Sequence, residues 1–506
     1  MKKHISYLLV LFAASFAATS CYKDKGNYDY TELGAFYIDD TGMKTYHAIP
    51  IFSVLELNSG LIYDGNREDL EFMWRAYSSW STVAPTILSD EENLSAPIPM
   101  IPGEYTLEFR ATEKPTGRIA TFSHTVLVES NGSGILVLYK EDGLTDCGLI
   151  SPKILFGHLD RDAVSLNMYT LANPDYPLTG DPVAIEMYKD SNFQHISIFT
   201  EDDGVRISPN DMSITEKFED FFAFAPRTVK PQWYIAPCGV TSATSDFESS
   251  DGMEYFINDG VFYANVILFG FGSKTVFGER TMTGGYYAAP FVLQGQGMSV
   301  TYDTGAGRFI SAGILATTLS QVGGELGTLG KDLVAMHYGF GAQYAANAIL
   351  RDREPFTDKY HFYVINMSNN TTMNKWEISN YANIAAATSF AFGRRAQLAF
   401  YTDGNAIYQI KYDMTGNTIE DNAVTAWSGL ASGETITAMQ LCPHPGRNLT
   451  YNARERYLFV GTYNESTREG KVYILEVNIE TDGSLKAQPV GTYAGFGKIK
   501  DFGFKF

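Results

Sequence analysis

Cysteine is scarce in this chain, four residues in 506, at positions 21, 147, 238 and 442. With Cys21 set aside, an odd number remains, so at least one thiol is unpaired and no disulfide framework is expected. The settings of Cys147, Cys238 and Cys442 read as strand ends or adjacent turns holding buried, inert thiols. Clustered positive charge is also missing. There are 38 Lys and Arg against 58 Asp and Glu, a formal net charge of −20. A nucleic-acid or anionic-membrane binder needs grouped Lys and Arg, and that class is excluded. The eight histidines are scattered, with no His-Glu-x-x-His and no paired ligand spacing for zinc. Gly-x-Ser-x-Gly, the elbow that presents a nucleophilic serine, does not occur. Beyond the first twenty residues there is no apolar run long enough for a transmembrane helix.

What is present begins with a leader. Met1-Lys2-Lys3-His4 is basic, Ile5 to Thr19 is apolar, and Ala17-Ala18-Thr19-Ser20 leads into Cys21. That order of charge, greasy core and small-residue site is a secretory signal, expected over 1–20. A cysteine directly after the small residues points to cleavage before Cys21 and lipidation on it. Acyl chains, palmitate among them, would anchor the mature protein to a membrane, since each buried methylene contributes ~0.8 kcal/mol. The polar stretch 21–30 reads as a tether.

Aromatic residues are abundant, 32 Tyr, 33 Phe and 5 Trp. Such residues favour strands, and a large β core is their first explanation, with exposed rings for sugars or partners as the second. Over 31–130 short runs alternate apolar and polar with period two, as in Leu70–Tyr77 and 103–112, and a last run, 120–128, ends in Val126-Leu127-Val128. The expectation is a small β-sandwich with Trp74 inside, much as an immunoglobulin-type sandwich buries a tryptophan. Residues 131–506 instead repeat an apolar-aromatic strand, a turn often acidic or Asx-Gly, and a returning strand. The seven units start near 134, 195, 254, 299, 360, 398 and 456. Asp-Gly and Asn-Gly supply the positive φ that two-residue hairpins need. A mean period of about 54 residues fits a β-propeller of about seven blades, six or eight being the alternatives.

Little chemistry is legible. Gly323 to Gly330 followed by Lys331-Asp332 superficially resembles a phosphate loop, but its spacing is one residue too long and Asp332 stands where Ser or Thr is required. His195 and His361 open strands, a structural position. Acidic clusters at Asp39-Asp40, Asp90-Glu91-Glu92, Asp160-Arg161-Asp162, Glu201-Asp202-Asp203 and Glu219-Asp220 read as solvated turns, without the alternating oxygen-ligand spacing of a calcium loop. No catalytic, metal or cofactor-binding residue is expected.

The stretch Cys21-Tyr-Lys-Asp-Lys-Gly-Asn-Tyr-Asp-Tyr30, the strand Leu70–Tyr77, Pro102-Gly103-x-Tyr105-x-Leu107 and Ala111-Thr-Glu-Lys-Pro-Thr-Gly117 resemble the PKD-like family lipoproteins of the Bacteroidetes. The likeness covers 21–130 and is looser beyond, where related lipoproteins carry a propeller-like region. It implies an outer-membrane lipoprotein, on the cell surface or the periplasmic face, encoded beside a Sus-type importer. The implied partners are a TonB-dependent channel and its lid lipoprotein, with a glycan or peptide as ligand. On this reading the protein is a noncatalytic accessory. The competing classes are a polysaccharide hydrolase or lyase on the propeller, with two carboxylates converging at its mouth, and a purely structural scaffold.

Overall fold

The computed structural model describes residues 34–505, apart from the short segments 79–83, 131, 157–161, 190–193, 237–252, 267–275, 296, 342–343 and 444–452. The leader, the tether and Cys21 lie outside the described residues, as do Cys238 and Asp160-Arg161.

In the N-terminal region, a five-stranded sheet runs in the order Tyr46–Pro50, Ile119–Glu129, Gly103–Glu113, Leu70–Tyr77 and Thr86–Ser89. Two small two-stranded sheets, Phe36–Ile38 with Leu61–Tyr63 and Val54–Leu57 with Leu94–Pro97, complete it. The period-two sequence does what a half-buried strand requires. In Gly103–Glu113, Leu107, Phe109 and Ala111 are buried while the residues between them are only partly covered. Trp74 is fully buried beside Phe109, ring centroids 4.8 Å apart, and its indole N–H donates to the Glu92 carbonyl at 3.3 Å.

From Gly134 to Lys505 the chain builds seven antiparallel sheets, six of four ladder-ordered strands and one, starting at Ser389–Phe392, in which Val424–Trp427 adds a fifth. Their innermost strands are Lys498–Lys505, Pro182–Lys189, Pro231–Ile235, Ala288–Gly295, Lys331–Tyr338, Ser389–Phe392 and Glu434–Leu441, each packed against the next in a closed ring. This is a seven-bladed propeller. The last strand, Lys498–Lys505, pairs antiparallel with Gly134–Glu141, so the first blade is completed by the C-terminal end of the chain. That closure leaves no open sheet edge between first and last blades. Middle strands lie between neighbouring blades and are covered on both faces. Gly134–Glu141 and Leu398–Thr402 are accordingly buried along nearly their whole length.

Six of the seven sequence units are the second and third strands of their blades. The unit near 360 is the third and fourth, because the second strand of that blade is Ala345–Asp352. This one-strand slip accounts for part of the irregular spacing. The two-residue hairpin expectation holds at Asp142-Gly143 and Asp259-Gly260, where all four residues have positive φ. It fails at Asp203-Gly204 and Asp403-Gly404, where longer turns connect Phe199 to Gly204 and Thr402 to Ile407. There the Asp side chain takes over, as Asp403 accepts the N–H groups of Asn405 and Ala406.

The glycine-rich stretch before Lys331 is a connector into an inner strand, with Lys331 paired to Asp352 and Asp332 held by Arg351 and Arg353. The buried apolar residues of the sandwich and of the first two blades form one contiguous cluster, and Ser53 and Ser165 hydrogen-bond across the junction at 3.2 Å. Among the described residues no helix is long and apolar enough to cross a membrane.

Candidate functional site in the propeller channel

Where seven inner strands surround an axis, side chains alternate between the blade core and the channel. Here a cavity of about 300 Å³ lies on the axis, and every inner strand contributes to its wall. That volume is at the lower end for small-ligand sites. Trp233, Phe291 and Phe390 form aromatic parts of the wall, while Glu186, His337, Arg394, Gln440, Glu455 and Asp501 form the polar parts.

The two carboxyls sit on adjoining strands, Glu186 on Pro182–Lys189 and Asp501 on Lys498–Lys505. The Ile185 N–H donates to Asp501 Oδ2 at 2.9 Å. Burial nonetheless pushes Asp501 up to about 7. Burial also raises Glu186 well above the usual carboxylate range, and the neighbouring Asp501 charge adds to the effect.

His337 lies on Lys331–Tyr338, across the ring from that pair. Its ring is open to the cavity, yet its depth within the protein lowers it to about 4, with the Arg394 charge adding to the shift. The Arg394 guanidinium lies over the Tyr338 ring, 5.4 Å from its centroid. Glu455, buried, accepts the backbone N–H groups of Arg394 and Arg395, both at 2.8 Å. Burial raises its pKa, against those hydrogen bonds and the charges of Arg394 and Arg454. The cavity therefore has two carboxyls on one side and His337, Arg394 and Glu455 on the other.

A second, wider cavity of about 440 Å³ marks one mouth of the channel, at the beginnings of the inner strands. Lys140, Lys498 and Lys500 alternate there with Asp181, Glu201 and Asp403. Lys140 pairs with Asp181, and Lys498 with Glu465. The acidic turns at 201–203 and 403 thus stand at this mouth, whereas the Glu219-Asp220 pair is in a 3-10 turn and Asp39-Asp40 and Asp90-Glu91-Glu92 are in the sandwich. Asp162 is engaged with the Lys153 N–H and the Tyr493 hydroxyl. Among the described residues no group of three or more His, Cys, Asp and Glu could hold a metal ion.

Other buried charge joins blades. Glu254, wholly buried, accepts from Arg206 at 2.9 Å, Tyr234 at 2.6 Å and Asn265 at 2.7 Å, and His195 Nε2 lies 3.1 Å away. Burial opposes its charge, but Arg206 and these hydrogen bonds hold its pKa well below the usual range. Within one blade, His361 contacts Asp352 at 3.0 Å. Cys147 and Cys442 are buried.

Sequence reading missed Glu186, His337, Arg394 and Asp501. It followed hairpins, which are second and third strands, and so passed over the inner strands. Two of the four carried a signal, one ionisable residue inside an apolar run, as in Val183-Ala-Ile-Glu186-Met-Tyr188 and Ala335-Met-His337-Tyr338, whereas Asp501 directly follows Lys500.

Residues 21–176 match the profile of the PKD-like family. The N-terminal region is PKD-like. The match runs past the last sandwich strand into the first blade and its short helix Met168–Ala172. No curated protein matches the chain. Among solved structures, a quinonprotein alcohol dehydrogenase-like protein from Bacteroides thetaiotaomicron is 12% identical with a TM-score of 0.45, covering 93% of this chain and 99% of that one. Apo AztD from Citrobacter koseri is 11% identical with a TM-score of 0.31, covering 86% and 98%. Regucalcin from Agrobacterium tumefaciens, titled a calcium-binding protein, is 11% identical with a TM-score of 0.32, covering 50% and 75%. The propeller behind the PKD-like region rests on its seven closed sheets, not on these likenesses.

Proposed function

We propose that the protein is an outer-membrane lipoprotein, anchored through Cys21, that captures a nutrient for a Sus-type uptake system without transforming it. The PKD-like region holds the propeller near a TonB-dependent channel and its lid lipoprotein, and the nutrient, a glycan or a peptide, enters the propeller channel. The observation that supports capture is the axial cavity of about 300 Å³, with aromatic and polar groups from all seven inner strands. Binding sites of this kind combine apolar walls with a few oriented polar groups.

A second reading, a polysaccharide hydrolase or lyase, is favoured by one specific observation: Glu186 and Asp501 are two buried carboxyls with raised pKa facing one cavity. Against it, a glycosidase places its two carboxyls on either side of the scissile bond. These two come from adjoining strands on one side of the channel. Capture is the better fit.

Native lipoprotein pulled from detergent-solubilised outer membrane should bring the TonB-dependent channel and the lid lipoprotein with it. Recovery without either would overturn the accessory role. Release of reducing ends from polysaccharide by the purified protein, abolished in Asp501→Asn, would establish the enzyme reading instead.

A further inference from the structure

The axial cavity changes character around the ring. Trp233 and Phe291 stand on neighbouring inner strands and form an aromatic flank, half-buried and open to the cavity. Around the rest of the wall the polar groups come from separate inner strands: Asp501, Glu186, His337 and Gln440, with Arg394 just beyond another. None of these polar side chains is fully covered. The wall nevertheless holds little charge for a ligand to neutralise. Neither carboxyl is in an ion pair among the described residues, and Asp501 accepts the Ile185 N–H instead. Burial pushes both toward their protonated forms and holds His337 toward its neutral one. Lys500 pulls Asp501 down, but from the wider mouth, where it is exposed. Across the ring, the Arg394 charge acts on the Glu455 carboxyl, and Arg454 is buried and itself engaged.

Bringing a charge into such a place without a partner is costly, so an ammonium or carboxylate ligand enters at a loss. What the wall offers is hydrogen bonding in both directions, because a protonated carboxyl, a neutral imidazole and an amide each donate and accept. A hydroxyl does the same. A ring with hydroxyls around its rim and C–H groups on its faces meets polar groups converging from several strands and lays one face on an aromatic side chain. The volume of about 300 Å³ suits a short ligand rather than a polymer. We infer that the cavity takes a small uncharged sugar, its hydroxyls on Glu186, Asp501, His337 and Gln440 and one face against Trp233. This rests on the capture reading and narrows its ligand, since a free dipeptide carries two charged ends.

Calorimetric titration of the full chain, held in a sugar-free detergent, tests this with glucose, galactose, mannose and maltose, with the amine and uronate counterparts of any that binds, and with leucylalanine. At least one neutral sugar should bind saturably. Its amine and its uronate should bind about tenfold more weakly or worse, the scale of a buried group left unsatisfied. Glu186→Gln keeps a donor and an acceptor and should stay within about threefold of wild type, whereas Trp233→Ala should lose about tenfold. The charged counterparts alter the ligand and not the protein, so a poorly folding variant does not spoil the result. Silence toward all the neutral sugars would overturn the inference, as would an amine or uronate that binds as well as its parent. Leucylalanine binding beside silent sugars would overturn it while leaving capture standing, and silence toward every probe would overturn both. Co-purification with the channel is read separately, so loss of the accessory role is distinguished from loss of the sugar.

Discussion

The PKD-like sandwich and the propeller treat charge in opposite ways. The sandwich has an apolar interior around Trp74 and Phe109, and its main buried carboxylate, Glu113, is satisfied locally by Arg118, Tyr63 and Thr116. The propeller instead places ionisable groups deep inside, between blades at Arg206 and Glu254 and along the axis at Glu186, His337 and Asp501. One region is thus built from ordinary burial, while the other keeps ionisable groups inside, paired between blades at Arg206 and Glu254 and shifted toward their neutral forms along the axis.

The most damaging change should be in the sandwich. Trp74→Ala removes a fully buried indole, and truncations of this size cost about 4 kcal/mol. Hydrogen exchange followed by mass spectrometry should show protection lost over the sandwich strands from Phe36 to Glu129, with the blades retained. Equal loss in the blades would mean that the shared apolar cluster at the junction makes the two regions one cooperative unit.

Next comes the blade interface. Arg206→Met keeps the bulk but leaves Glu254 buried with its main countercharge gone, a change on the order of 3 kcal/mol. Urea unfolding should report it, and protection should fall first in the second and third blades. A simultaneous Glu254→Gln should recover much of the loss, because the uncompensated charge is then removed. No recovery would mean that Arg206 acts through packing on Phe221 and Phe277.

How much of this could be read from the sequence follows the same division. Three of the nine sandwich strands, Leu70–Tyr77, Gly103–Glu113 and Ile119–Glu129, were plain because half-buried strands alternate, and Trp74 fell on the inward phase. The blades were plain in number because each contains one hairpin of nearly continuous apolar residues, the mark of a strand covered on both faces. Closure by Lys498–Lys505 was invisible, since its partner Gly134–Glu141 lies more than 350 residues away and local pattern has no access to such a pairing. The axial site was hidden for a related reason. Glu186 and Asp501 are 315 positions apart, and only ring closure brings them to one wall. Arg394 gave no signal at all, standing in a polar loop just beyond its inner strand.

The smallest effect is also the most discriminating, because Asp501 on the axis and Glu113 in the sandwich should respond to acid with opposite signs. Asp501 is raised to about 7 in the fold from an ordinary value of 3.8. Between those values the folded protein holds a proton that the unfolded chain has released, so this group's contribution to stability is present below about 4 and lost as pH rises to about 7. Glu113 is lowered to about 2 from 4.5 by Arg118, Thr116 and Tyr63. Its contribution is present above about 4.5 and lost as pH falls toward 2. His337, lowered to about 4, works against Asp501 between pH 6.5 and 4, so the wild-type profile alone does not isolate the carboxyl. The difference between wild type and Asp501→Asn does, since Asn can still accept the Ile185 N–H. Melting curves should show wild type gaining on Asp501→Asn as pH falls from 7 to 4, while Glu113→Gln differs from wild type most at neutral pH and converges on it below 4.5. A difference for Asp501→Asn that does not change between pH 7 and 4 would mean the axial carboxyl is already ionised, and the contrast between an acid-poised channel and a salt-bridged sandwich would fail.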